Sequence, residues 1–281
     1  MTESADAAGL GLLAMLTKSE RMPVLFLGHG SPMNAIEDNE YRRSWQALGA
    51  EFGTKWPAPQ LVLCISAHWL TRGWWLTGMA QPKTIHDFGG FPQELFDQQF
   101  PAPGAPAVAQ AISQGITQPP VGLDNQEWGF DHGTWSILKP MFPKADVPVI
   151  QLSMDYGRPP AEHFALGQQL KGLRERGVLI VGSGNIVHNL RATRRGTSSI
   201  QAYDWAIEFD SKIAAQLQKG DLAGLADFQK LGQVAQQAHP TYDHYLPLLH
   251  AAGAADAKDP VRFFNANYQS PSISMRSVIW G

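Results

Sequence analysis

The sequence predicts an α/β fold, a single layered domain with a central, mostly parallel or mixed sheet flanked by helices. Three observations lead to it. Short continuous apolar runs, such as Met22-Pro23-Val24-Leu25-Phe26-Leu27-Gly28 and Leu61-Val62-Leu63-Cys64-Ile65, read as strands buried on both faces. Amphipathic segments alternate with these runs, most clearly 160–176, where Leu166, Leu170 and Leu173 recur at spacings of four and three. The chain has 281 residues, 44% of them apolar and 17% charged, which is enough for one large core.

Taken in order, residues 1–20 read as an N-terminal extension with a short helix, and 21–281 as one domain. Strands are expected at 22–28, 60–66, 74–79, 147–153, 178–182 and 271–280. Helices are expected at 40–52, 105–115, 134–141, 160–176, 203–218, 221–230 and 240–251. Residues 81–104 are rich in Pro, Gly and aromatics and read as a long structured loop, a feature that is usually functional in a compact domain. No repeat, low-complexity tract or linker interrupts the pattern.

Composition excludes several classes of function. The net charge of -3, with no basic block, argues against a nucleic-acid partner. No run of about 18 apolar residues offers a membrane span, and Glu3 and Asp6 stand where a secretion signal needs basic residues. The single cysteine, Cys64, lies in an apolar run and reads as a small buried hydrophobe, so a cytoplasmic location is expected.

The nine histidines are informative through their placement. In open α/β sheets, ligand sites collect beyond the carboxyl ends of strands. His29 follows the run 22–28, His68 follows 60–66, and His188 follows 178–182. Each has small neighbours: Gly28 and Gly30, Ser66 and Ala67, and the Gly182-Ser183-Gly184 segment, read as a turn. Small residues let a metal or substrate approach the backbone closely. One such histidine would read as structural, but three together point to a metal site. Imidazole suits iron, zinc, copper and nickel, and the usual dioxygen-activating iron site has two His and a carboxylate, which leaves a third ligand to find.

Several segments then carry a resemblance. They are Gly28-His29-Gly30-Ser31-Pro32-Met33, Ser66-Ala67-His68-Trp69 and Ile85-His86-Asp87-Phe88-Gly89-Gly90-Phe91-Pro92. Further on come Gly129-Phe130-Asp131-His132-Gly133-Thr134-Trp135, Gly182-Ser183-Gly184-Asn185-Ile186-Val187-His188-Asn189-Leu190-Arg191 and His244-Tyr245-Leu246-Pro247-Leu248. In this order, over roughly 22–280, the chain resembles the 4,5-DOPA extradiol dioxygenases. These belong to the class III extradiol superfamily that includes the catalytic subunit of protocatechuate 4,5-dioxygenase.

The resemblance implies one divalent metal held by His29, His68 and His244. Fe(II) would serve activity, and Zn(II) could occupy the purified protein. It also implies His188 as the acid/base residue, with His132 in the same pocket. The implied partners are a small aromatic diol and dioxygen; a homo-oligomer stays open. Asp243 adjoins His244, but neighbours on a helix point about 100° apart, so Asp243 is expected to face solvent or to orient a neighbour.

Around this set, Asp131 is expected to accept from a histidine ring. His86, Arg191, Ser31 and Trp69 are expected to contact substrate or support the ligands. His86 reads equally as a loop anchor bonded to Asp87. Trp135 also adjoins a site motif. His163, beside Glu162, reads as a surface residue, His239 as a helix-start residue and His250 as structural. Val187 stands where a dinucleotide fingerprint needs glycine, so that reading fails. Two competing functions are a zinc hydrolase, for which no HExxH pattern exists, and a zinc-binding protein without turnover.

Overall fold

The computed structural model describes residues 16–194 and 201–281. The expected N-terminal helix falls largely on residues 1–15, outside the described residues. Residues 16–20 are not helical. Leu16 is buried in the core, and the Ser19 amide donates to the Glu175 carbonyl at 3.0 Å.

The chain opens with β1 (Val24–Gly28), a 3-10 turn at Pro32–Ala35, and α1 (Glu40–Glu51). It continues through β2 (Leu61–Thr71), β3 (Trp74–Thr77), β4 (Lys83–Thr84), the short α2 (Gln93–Phe96) and α3 (Pro106–Gly115). Next come β5 (Val121–Asp124), β6 (Gly129–Phe130), α4 (His132–Met141) and β7 (Val149–Asp155). After α5 (Pro160–Leu170) and a 3-10 segment at Lys171–Arg176 comes β8 (Val178–Gly184). A 3-10 turn at Leu190–Ala192, α6 (Asp204–Gln218), a 3-10 segment at Ala223–Leu231, α7 (Gln233–Ala238) and α8 (Leu246–Ala254) follow. The chain ends with β9 (Val261–Phe264), β10 (Tyr268–Ser270), β11 (Ile273–Ser274) and β12 (Ser277–Trp280).

Eight of these strands form one mixed sheet in the order β5-β3-β7-β2-β8-β1-β12-β9. Its centre, β7-β2-β8-β1, is parallel. β12 and β9 join antiparallel at one side, and β3 runs antiparallel to β7 at the other. The central strands alternate between two cores, as a period of two requires. Leu61, Leu63 and Ile65 face one core with Leu166 and Leu170 of α5 and Leu248 and Leu249 of α8. Val62 and Cys64 face the other with Trp45 of α1 and Leu138 of α4. Each of these Val, Leu and Ile side chains contributes roughly 1.5–3 kcal/mol on burial. The fold is therefore the layered mixed sheet with helices on both faces that the apolar runs predict.

Several elements differ from expectation. β2 runs on to Thr71, so His68 lies inside a strand, in a segment where the register with β7 shifts between Ile65 and Leu70. Gly182-Ser183-Gly184 is not a turn but the end of β8. The expected final strand 271–280 divides into β11 and β12. The helix expected at 240–251 begins at Leu246, with Pro247 in its first turn. Residues 240–245 form bends and turns. The segment 171–176 and the expected helix 221–230 are 3-10 rather than α.

Candidate active site

The parallel centre of the sheet delivers its carboxyl ends to one cleft. His29 follows β1, and its amide extends the β1–β8 ladder by donating to the Gly184 carbonyl at 3.1 Å. Gly30 takes φ +57°, a left-handed conformation that glycine adopts without penalty, and turns the chain away after His29. His244 lies in the turn before α8, pressed onto β8. A Cβ on Gly184 would sit 2.1 Å from the His244 carbonyl oxygen, so only glycine permits that approach. His132 is the first residue of α4, and the Asp131 side chain caps that helix by accepting from the Thr134 amide at 3.2 Å.

The rings of His29, His68 and His244 form a nearly equilateral triangle. Their centroids are 5.1, 5.1 and 5.0 Å apart. One nitrogen from each falls in a common group within 4.8 Å. The Nε2 atoms of His29 and His68 are 3.2 Å apart.

Their outer nitrogens face oxygen partners. His29 Nδ1 lies 2.9 Å from Ser183 Oγ. That hydroxyl donates its only proton to the Gly133 carbonyl, so it must accept from His29. His244 Nδ1 is 2.5 Å from Asp243 Oδ2, and His68 Nδ1 is 3.4 Å from Asp87 Oδ2. With the protons at Nδ1, the lone pairs at Nε2 of His29 and His68 point at one another. Two facing lone pairs repel, and a cation between them removes that cost. Two imidazole nitrogens each about 2.1 Å from one ion lie about 3 Å apart, as these do. The residues therefore fit a metal.

Charge balance agrees. Burial pushes the His29 and His244 pKa values well below the ordinary range, and the neighbouring histidines add to it. Burial, then His132, brings His68 to about 3. All three are neutral near pH 7, as ligation demands. Burial also lowers His188 to about 4. For Asp87, burial acts upward, but the bonds from His132 outweigh it and hold the carboxyl at about 2.

His188 stacks on His244, with centroids 3.4 Å apart and planes 5° from parallel. It borders the same cavity, of about 470 Å³, as the triad and His132. Phe88, Phe91, Leu190 and Ile273 supply apolar walls, and Ser31 and Gln269 a polar edge. The volume lies in the range of roughly 300–1,000 Å³ typical of small-molecule sites. Five histidines drawn from distant parts of the sequence thus converge on one cavity.

Of the other expected site residues, only Ser31 borders the cavity. His86 does not line the cavity; its Nε2 is 2.8 Å from the Gln98 carbonyl, so it anchors the loop, though not through Asp87. Trp69 stacks on Trp128 (5.8 Å, 2°) and borders a separate groove with Trp75. Arg191 is exposed and outside the cavity lining. Ser31 lines the cavity, and its Oγ accepts from the Met33 amide at 3.3 Å. Asp131 is fully buried, and burial, then the Asp87 charge, raises its pKa to about 6. It accepts from Ser66 (2.6 Å), Gln151 and Trp128, while the carboxylates beside ring nitrogens are Asp87 and Asp243. Asp243 thus orients its neighbour; the two residues precede the helix, so the 100° argument does not apply.

His163 is fully buried, not a surface residue, with Nδ1 3.1 Å from His250 Nε2. His239 ends α7 instead of starting a helix. Trp135 is core, donating to the Ile85 carbonyl at 2.9 Å. Cys64 is buried, and burial pushes its thiol pKa up.

Sequence reasoning passed over Asp87, Ser183 and Gln269. Asp87 and Ser183 lie inside the motifs that carry His86 and His188. Alternation along β8 also puts Ser183 on the same face as Leu179 and Val181. Gln269 carries no local signal.

Comparison with known proteins agrees with this geometry. Residues 23–278 match the family of the catalytic LigB subunit of aromatic ring-opening dioxygenase. A protein of Escherichia coli strain K12 named 4,5-DOPA dioxygenase extradiol is 46% identical over 271 residues, covering 94% of this chain and 96% of that one. A protein of the same name from Beta vulgaris is 33% identical, covering 90% of this chain and 94% of its own. The crystal structure of an uncharacterized Escherichia coli K12 protein aligns with a TM-score of 0.79 at 42% identity, over 93% of this chain and 100% of that one.

Fold and site thus define an aromatic ring-opening dioxygenase of the extradiol type. The chain belongs to the LigB family, whose members are metal-dependent. The zinc-hydrolase alternative gains nothing from the site, because the two carboxylates beside the triad, Asp87 and Asp243, are both engaged with imidazole nitrogens.

Proposed function

We propose that residues 21–281 form a catalytic domain that opens a catechol-type, DOPA-like ring with dioxygen. Fe(II) would be held by His29, His68 and His244. The observation that carries this reading is the triangle of imidazoles, whose outer nitrogens face oxygen partners while one nitrogen from each falls in a common group beside an aromatic-walled cavity. When bound, Fe(II) supplies the one-electron chemistry that lets dioxygen react with an aromatic ring. Zinc would bind the same imidazoles without redox activity and could occupy the purified protein.

The chain's own residues do the rest. Phe88 and Phe91 flank the catechol ring and exclude water. His188 is neutral near pH 7 and half-buried at the cavity, so it begins as a base. It takes a hydroxyl proton from the catechol and returns it as the ring opens. His132 faces the same cavity and serves as a second proton-handling or hydrogen-bonding group. Ser31 borders the substrate. The single, buried Cys64 suits a reducing cytoplasm, the compartment we assign. Among the described residues, no helix is long and apolar enough to cross a membrane.

Turnover of a catechol panel including DOPA under isotopically labelled dioxygen, analysed by mass spectrometry, tests the reading. Both label atoms should enter a ring-opened product with iron-loaded protein and neither with zinc-loaded protein. An unlabelled quinone, or no oxygen consumption, would overturn it.

A further inference from the structure

The loop between β4 and α2 places one carboxylate between two histidines with different tasks. Asp87 Oδ1 accepts the His132 amide at 2.8 Å and lies 3.0 Å from His132 Nδ1. Its Oδ2 lies 3.4 Å from Nδ1 of His68. The two rings pack at 3.9 Å between centroids. Because Oδ1 faces both the amide and the ring nitrogen of His132, the carboxylate cannot rotate without breaking its bond to the start of α4. A neutral imidazole has one N–H, and the charge of a carboxylate 3.0 and 3.4 Å from the two Nδ1 atoms favours the proton there, without an aligned hydrogen bond at His132 Nδ1. Both rings then present bare Nε2 atoms.

The next residue, Phe88, forms the cavity wall. It meets His132 edge-on at 5.6 Å and Phe91 at 5.4 Å. A ring seated against Phe88 therefore bears on the residue that holds both histidines. The opposite flank differs. Asp243 Oδ2 pairs with Nδ1 of its sequence neighbour His244, while His188, which stacks on that ring, has a nitrogen within 4.8 Å of the same carboxylate but makes no hydrogen bond to it.

We propose that Asp87 is a positioning residue that locks His68 and His132 into one unit and so couples metal affinity to the seating of the aromatic substrate on Phe88. This rests on the ring-opening assignment above. Replacement by asparagine puts an N–H donor where a carboxylate oxygen stands. One of the two rings must then move its proton to Nε2, which at His68 is the atom that faces His29.

The test uses the full chain loaded with Co(II), whose visible bands report ligation. Metal affinity is read by chelator competition, catechol affinity by perturbation of the bands, and folding by Tm. Asp87→Asn should weaken Co(II) binding about 10–100-fold. At saturating metal it should also raise the catechol dissociation constant several-fold and alter the bands. Asp243→Asn should weaken metal binding while leaving the catechol dissociation constant near that of the wild type. Asp87→Glu should recover part of both losses, and it decides the matter if the asparagine variant does not fold.

Wild-type metal affinity, or wild-type catechol affinity at saturating metal, in folded Asp87→Asn would overturn the proposal. So would an equal catechol effect in Asp243→Asn, or, where Asp87→Asn does not fold, affinities for Asp87→Glu equal to the wild type. Failure of wild-type protein to bind or turn over any catechol would instead strike the ring-opening assignment, because the metal arm is read without substrate.

Discussion

The chain clusters buried histidines in two places, and the contrast shows what makes a site. His163 of α5 and His250 of α8 are each fully buried, with rings 5.1 Å apart beneath Trp74. The spacing is that of the His29–His68 pair, and burial lowers the pKa in both clusters. In both pairs two ring nitrogens face each other, at 3.1 Å in the core and 3.2 Å in the site, but the outer core nitrogens, His163 Nε2 and His250 Nδ1, have no hydrogen-bond partner among the described residues. In the triad the outer nitrogens face Ser183, Asp243 and Asp87, and the rings border a cavity. Burial and proximity are common to both. The oxygen partners of the outer nitrogens and the open volume distinguish the metal candidate from the core.

The sharpest way to break this contrast is His29→Ala. It should remove bound metal and abolish oxygen uptake, whereas His250→Leu should retain both; metal analysis and an oxygen electrode read the two together. Next in size, His188→Ala should lower kcat by about 10²–10⁴ while metal content stays at the wild-type level. Retained kcat in that variant would remove His188 from proton transfer. Ser183→Ala takes away the oxygen that accepts from His29 Nδ1 and should weaken metal binding about 10–100-fold, measured by chelator competition. An unchanged affinity there would mean that the hydroxyl does not orient the ring.

Acid stability tests the core pair alone. His163 has its folded pKa depressed to about 4 from 6.5, first by burial. Its neutral form is favoured in the folded state, so its contribution is complete above pH 6.5 and is lost as pH falls from 6.5 towards 4. The shift is worth on the order of 3 kcal/mol. His163→Leu should flatten the fall of Tm across that window and leave oxygen uptake near pH 7 intact. An unchanged slope would assign the acid sensitivity to other groups.

Much of this was legible in the sequence because the central strands are buried on both faces and read as unbroken apolar runs. The positions of His29 and His188 after β1 and β8 follow from those runs alone. His68 was displaced because Ser66 and Ala67 resemble a strand end, whereas β2 continues through a register shift. Edge strand β9 lacks buried residues, and β5 contains Gly122 and a half-buried run, so neither gives a periodic signal.

His163 is buried against expectation, although the sequence carries a signal for it. It lies three residues before Leu166, on the face that Leu166 and Leu170 define. The start of α8 was also marked, by Pro247 in its first turn, which would have freed Asp243 and His244 from helical geometry. The partners that orient the triad were harder to see. They come from a loop and from strand alternation, and only the folded chain brings them beside the rings.

The central claim is that one metal held by His29, His68 and His244 opens a catechol ring. The most direct test loads the protein anaerobically with Fe(II), adds catechol, admits air, and measures oxygen consumed per catechol lost. The account predicts one dioxygen per catechol with iron, a ring-opened product, and no uptake with zinc or in His29→Ala. No uptake by fully iron-loaded wild-type protein, or equal uptake by His29→Ala, would contradict it.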